Sequence, residues 1–102
     1  MAQFDIHRLP SAKLAQRLML DIQKNHFSLL ASRLVIPLIP ARAIPQPIDR
    51  LNPIFQIGGD DYVLTTQEMT SVPKTLLGPI IGSLRSERDA ILGALDFLVI
   101  GY

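Results

Sequence analysis

Apolar and polar positions alternate through much of this chain, and near its end the spacing turns helical. Residues 3–9 predict a short strand, with Phe4 and Ile6 on one face and Asp5 and His7 on the other. Pro10-Ser11 ends it. Residues 17–23 alternate as well: Leu18, Leu20 and Ile22 point one way, while Arg17, Met19, Asp21 and Gln23 point the other. A strand is the reading, although residues 12–20 alone also fit a helical turn or two. Residues 33–38 are β-branched and apolar, the pattern of a strand covered on both faces. Pro37 then predicts an edge or a strand terminus, because proline donates no ladder hydrogen bond.

Five of the eight prolines lie between Pro37 and Pro53, which predicts an extended surface loop. Residues 52–57 and 62–67 flank Gly58-Gly59-Asp60-Asp61, the clearest hairpin signal in the chain. Residues 69–77 read as a further strand interrupted by Pro73, after which Gly78, Pro79 and Gly82 break the chain again. From Ser83 onward, Leu84, Ile91, Leu95, Leu98 and Tyr102 fall on one face of a helix. Ser83 and Ser86 are the candidate N-caps, and Ser86 with Asp89 has the spacing of a capping box. Glu87 and Asp89 suit the positive end of the helix dipole. Leu92, Val99 and Ile100 lie off the stripe, so the helix carries a second apolar surface. The last six residues, 97–102, hold no charge. Such a run is buried in the core, buried against a twin subunit, or offered to a partner. Many short strands, turn residues and one terminal helix predict an α+β, mostly β domain: a small barrel with an appended helix.

Composition narrows the class. The 102 residues predict a single domain over 1–102. Ten basic and nine acidic side chains leave a net charge of +1, too balanced for a nucleic-acid footprint. The absence of cysteine excludes disulfides and thiolate zinc sites. Asp5 interrupts any signal-peptide h-region, and no uncharged stretch is long enough for a bilayer span. The expectation is a soluble cytoplasmic protein with no membrane partner.

Catalytic patterns are not evident. His7 and His26 stand at no metal-ligand spacing, so neither a metal nor another cofactor is expected. Gly58-Gly59 lacks the downstream residues of a phosphate-binding loop, and no Gly-x-Ser-x-Gly elbow occurs. Asp60-Asp61 reads as a solvated hairpin tip rather than a carboxylate pair. The expectation is a protein that is not an enzyme.

The string Arg33-Leu34-Val35-Ile36-Pro37-Leu38 resembles the Arg-x-Val-Ile-Pro-Leu strand of the CcdB family, toxins of type II toxin–antitoxin pairs that poison DNA gyrase. The likeness continues through Leu51-Asn52-Pro53, Ile57-Gly58, and the stretch from Leu64 to Pro73. It ends in Asp96-Phe97-Leu98-Val99-Ile100-Gly101, and Gln3-Phe4 and Asp21-Ile22-Gln23 fit upstream. It is loosest over residues 8–16 and 39–50. The resemblance implies an SH3-like β-barrel with a long C-terminal helix, forming a homodimer. It implies a toxin that traps the gyrase A subunit on cleaved DNA by binding, with no direct nucleic-acid partner of its own. A cognate CcdA-like antitoxin, through a disordered acidic segment, neutralises it.

Carried over position by position, the resemblance implies gyrase contacts at Phe4, His26, Phe27, Asp96, Val99, Ile100, Gly101 and Tyr102. The best-known members have tryptophan at the position of Ile100 and isoleucine at that of Tyr102. Two outcomes stay open: Tyr102 supplies the aromatic anchor, or gyrase poisoning has been lost. Arg8, Arg42 and Arg50 are the candidate antitoxin contacts, with a solvated face as the plainer account of each. Leu95 and Leu98 read as core or dimer interface, and Phe4 also reads as core. Gly101 would let the chain leave helical geometry. The alternative function is a ribonuclease toxin of the MazF/Kid kind on the same barrel; the near-neutral charge and the apolar terminal segment favour the gyrase reading.

Overall fold

Strand β3 (Ser32–Pro40) is the longest strand, and the sheet is built outward from it. The computed structural model describes residues 2–9, 17–27 and 29–101. Around β3 stand β1 (Asp5–Arg8), β2 (Leu18–Asp21), β4 (Ile54–Ile57), β5 (Asp60–Leu64), β6 (Thr70–Pro73) and β7 (Ile80–Ser83). They form one antiparallel sheet in the order β4-β5-β3-β2-β1-β7, with β6 also paired to β3. The sheet curls into a half-barrel, and one helix, α1 (Arg88–Val99), follows it. This is the mixed α+β, SH3-like architecture expected from the sequence, with a helix of 12 residues.

Strand β3 has both faces largely covered, as its composition predicts. Ile36 and Leu38 join Ile6, Leu18, Leu20, Phe55 and Leu64 in the core under α1, which contributes Ile91. On the opposite face Val35, Met19, Ile39 and Val63 are buried too. That second buried layer extends the reading of β1 and β2. Asp5, His7, Met19 and Asp21 were expected on the face away from Ile6 and Leu20, and on that face His7, Met19 and Asp21 are buried. The His7 Nδ1 lies 3.0 Å from the Gly78 carbonyl, which can only accept, so this nitrogen carries the proton.

Asp21 survives burial because Arg33 meets it on the same face. Arg33 Nε donates to Asp21 Oδ2 at 2.8 Å and Nη2 to Oδ1 at 2.9 Å. Nη2 also donates to the Gln23 carbonyl at 3.2 Å. A two-pronged pair of this kind offsets much of the desolvation of both charges.

Pro37 is not at an edge or a terminus; it lies inside the central strand. Its carbonyl accepts from the Thr65 N–H at 3.0 Å and the Thr65 hydroxyl at 2.9 Å. That side of β3 pairs with β6 over residues 32–35 and with β5 over residues 38–40. The missing N–H of Pro37 therefore falls in the gap between two partners, where no ladder bond is interrupted.

The proline-rich segment starts later than expected, since β3 runs to Pro40 and a 3-10 turn follows at Ala41–Ala43. Beyond it the loop is pinned rather than loosely extended. Ile48 N–H donates to Asn52 Oδ1 at 2.9 Å, and Asn52 N–H returns to the Ile48 carbonyl at 2.8 Å. Asn52 Nδ2 donates to the Leu64 carbonyl and to Gln67 Oε1, and the Thr66 hydroxyl donates to the Leu51 carbonyl.

The hairpin forms with a two-residue turn, Gly58 and Gly59, at φ +60° and +88°. Both positions need the left-handed region that glycine enters freely. Asp60 and Asp61 accordingly open β5 instead of belonging to the turn. Residues 78–82 were expected only to break the chain, but β7 occupies Ile80–Ser83 and pairs with β1. The predicted strand over 69–77 stops at Pro73, and a 3-10 turn, Lys74–Leu76, replaces its remainder.

The helix enters through another 3-10 turn, Arg85–Glu87, so Glu87 is the N-cap residue, with no side-chain cap bond. The expected Ser86–Asp89 capping box does not form, and the Ser83 hydroxyl instead accepts from the Arg85 N–H at 3.2 Å. Pro10, Ser11 and the helical alternative over residues 12–16 lie outside the described residues.

Candidate functional site

The end of α1 is where burial stops before apolar character does. Ile91 and Ala94 are buried, and Leu95 packs partly against the core. Leu98 is already exposed. Val99 is 75% exposed and Ile100 61%, so the off-stripe residues form an uncovered apolar tip. Such residues are worth more in contact with a partner than with water.

The tip has a defined ending. Gly101 sits at φ +92°, and its N–H donates to the Phe97 carbonyl at 3.0 Å. Ile100 N–H donates to the Asp96 carbonyl at 2.7 Å. This is a left-handed glycine cap, which closes the last carbonyls and takes the chain off the helix axis. Gly101 thus leaves helical geometry as expected. Asp96 is exposed beside the tip, and Tyr102 lies outside the described residues.

The remaining sequence-derived candidates divide by element. Phe27 ends the 3-10 turn Asn25–Phe27 and is 49% exposed. The turn is tied to the N-terminal segment by Gln3 N–H donating to Asn25 Oδ1 at 2.8 Å. The His26 side chain lies outside the described residues. Leu29 and Leu30 follow, and Leu29 is 97% exposed. These two escaped the sequence reading, although an adjacent leucine pair beside the polar Asn25 and His26 was the available signal.

Phe4 is 3% exposed and sits in the main core cluster, in line with its reading as core and with little of its ring open to a partner. Its φ of +72° places the backbone in the left-handed region, unusual for an aromatic residue. Phe4 N–H donates to the Asp21 carbonyl at 2.6 Å, and its own carbonyl accepts from Leu84 N–H at 2.9 Å. Phe4 therefore straps β2 to the entry of the helical segment.

The three arginines do not form one cluster by element. Arg8 ends β1 opposite Leu18, which pairs with Leu38, and Arg42 follows shortly after β3 ends. Arg8 and Arg42 thus belong to the same end of the sheet. Arg50 lies in the proline-rich loop, where its guanidinium carbon stands 4.9 Å from the centre of the Phe97 ring. Between that loop and α1 runs an open groove of about 540 Å³, lined by residues including Ile48, Arg50, Ile54, Ala90 and Gly93. Among the described residues no group of His, Cys, Asp or Glu is placed to hold a metal ion, and no helix is long and apolar enough to cross a membrane.

A curled antiparallel half-barrel followed by a helix with an apolar, glycine-capped end places the described residues among small SH3-like barrels. The family model described as CcdB protein matches residues 3–101, and the chain belongs to the CcdB family of toxins from toxin–antitoxin pairs. Among solved structures it is similar in fold to an endoribonuclease in complex with its cognate antitoxin from a mycobacterial species. That likeness has 15% identity and a TM-score of 0.79, and covers 100% of this chain and 98% of the other.

Proposed function

We propose that this toxin acts by binding: the end of α1 engages the A subunit of DNA gyrase and holds the enzyme after it has cut DNA. The exposure of Val99 and Ile100 directly beyond the buried Ile91 and Ala94 carries this reading. A binder of one state in a cycle acts only through its differential affinity for that state. An apolar tip that becomes buried when gyrase is open on cleaved DNA supplies such a difference without any bond being made by the toxin. Asp96, Val99, Ile100, Gly101 and Tyr102 form the proposed contact, with Phe27 and His26 as a second element of it. Phe4 supports the fold beneath them. The active species is a homodimer, and a CcdA-like antitoxin neutralises it. Arg8 and Arg42 attract the antitoxin's acidic segment.

The test is a cleavage assay with gyrase, ATP and supercoiled plasmid. Linear, protein-linked DNA is expected with the intact chain. Deleting Gly101-Tyr102, or combining Val99→Asp with Ile100→Asp, should abolish it while the far-UV spectrum stays unchanged. RNA cleavage by the toxin without gyrase, or full poisoning by the truncated chain, overturns the reading.

A further inference from the structure

We infer that Arg50 is a positioning residue for the toxin tip: by lying on the Phe97 ring it sets the direction in which the last turn of α1 presents Val99 and Ile100. The inference rests on the proposed role of that tip and assigns Arg50 to it rather than to the antitoxin.

Three observations converge on Arg50. First, its guanidinium lies over Phe97 at 4.9 Å, within the range where a cation is attracted by an aromatic face. Second, its backbone is held at φ +68°, a left-handed value that an arginine adopts only when its surroundings demand it. The demand is visible in the loop. Ile48 and Asn52 close on each other through reciprocal hydrogen bonds on either side of Arg50, and Leu51 and Asn52 are bonded to the β5 end and to Thr66 and Gln67. Arg50 is therefore carried on a fastened loop anchored to the barrel, so a contact it makes transmits the barrel's position.

Third, Phe97 is the residue on which the tip turns. Its carbonyl accepts from the Gly101 N–H, and it lies within the last turn of α1, which ends at Val99. Beyond the buried Ala94 and the partly packed Leu95, the side chains of Leu98, Val99 and Ile100 are exposed and give that turn little hold. Fixing the Phe97 ring fixes the rotation of the last turn about the helix axis. Without it the turn is free to fray, and a partner must order it on binding.

The experiment uses the full-length toxin with isotope-labelled Val and Ile methyl groups, and a gyrase A dimerisation-region fragment as the binding probe. Arg50→Met keeps the apolar stem and removes the cation. It should shift the Val99 and Ile100 methyl resonances and weaken fragment binding by about two- to fivefold, the range of an exposed cation–π contact. Melting should be nearly unchanged. Arg50→Lys restores most of the affinity, because a cation again faces the ring. In the Phe97→Leu background Arg50→Met should have no further effect on affinity. Arg50→Gly relaxes the loop backbone yet should still behave like Arg50→Met. If Arg50→Met leaves both tip methyl resonances in place, the inference is wrong. If the methyls shift but the wild-type toxin does not bind the fragment, the gyrase reading falls while the positioning role of Arg50 stands.

Discussion

At the residue scale, two buried side chains carry more than their sequence context suggests. Asp21 and Arg33 are both 0% exposed, and removing either one strands the other's charge in an apolar layer. Asp21→Asn or Arg33→Met should each cost about 3–5 kcal/mol in urea unfolding. The double variant should cost clearly less than the sum, because the pair is lost as a unit. Strict additivity would show that the two charges do not depend on each other. Phe4 tests a different term. Its ring is core, so Phe4→Ala should destabilise by about 3–5 kcal/mol. Its backbone is left-handed at φ +72°, so Phe4→Gly should be more stable than Phe4→Ala by about 1 kcal/mol. Glycine normally does worse than alanine, and the normal order in the same unfolding series would dismiss backbone strain at Phe4.

At the element scale, α1 contains an avoidable weakness. Gly93 lies in the middle of the helix, exposed, and a methyl group there would meet no atom within 4 Å. Gly93→Ala should stabilise the protein by about 0.5–1 kcal/mol, read as a higher urea midpoint with an unchanged slope. An unchanged or lower midpoint would mean the glycine has a packing role that the monomer does not display. The elements also show what was legible in the chain and why. The alternation in β1 and β2 and the helical stripe were readable because one face of each meets the main core. Gly58-Gly59 was readable because its turn demands two left-handed residues. The interior place of Pro37 was hidden, because it depends on β6 handing over to β5 beside it, a tertiary fact. Strand β7 was masked by Gly78, Pro79 and Gly82, whose punctuation says nothing about the β1 edge waiting to pair with it. The burial of His7 and Asp21 was not legible, because a second buried layer cannot be deduced from one strand's pattern. At the site, Val99 and Ile100 stood out as apolar residues off the stripe. The Arg50–Phe97 contact joins residues far apart in the chain and leaves no local trace.

For the whole molecule, the architecture separates a rigid barrel from a weakly held tip, and that division is measurable. Strand β3 lies between β2 on one side and β5 and β6 on the other, with Val35, Ile36 and Leu38 fully buried. Its amides open only when the sheet comes apart. The chain also pairs β1 with β7, strands from early and late in the sequence, at one edge of the sheet. The Ile100 and Gly101 amides depend on the last-turn carbonyls alone, in a segment with exposed side chains. Native-state hydrogen exchange should therefore give Ile36 and Leu38 the protection of global unfolding, falling with urea at the equilibrium slope. Ile100 and Gly101 should exchange by fraying, faster and nearly independent of urea. Stabilising the barrel through Gly93→Ala should raise protection at β3 and leave the tip where it was. Saturating gyrase A fragment should protect the tip beyond the barrel's own change, because ordering the last turn is part of binding. Tip amides that exchange as slowly as β3 in the free protein would mean that the helix end is already locked, leaving a partner no loose turn to capture.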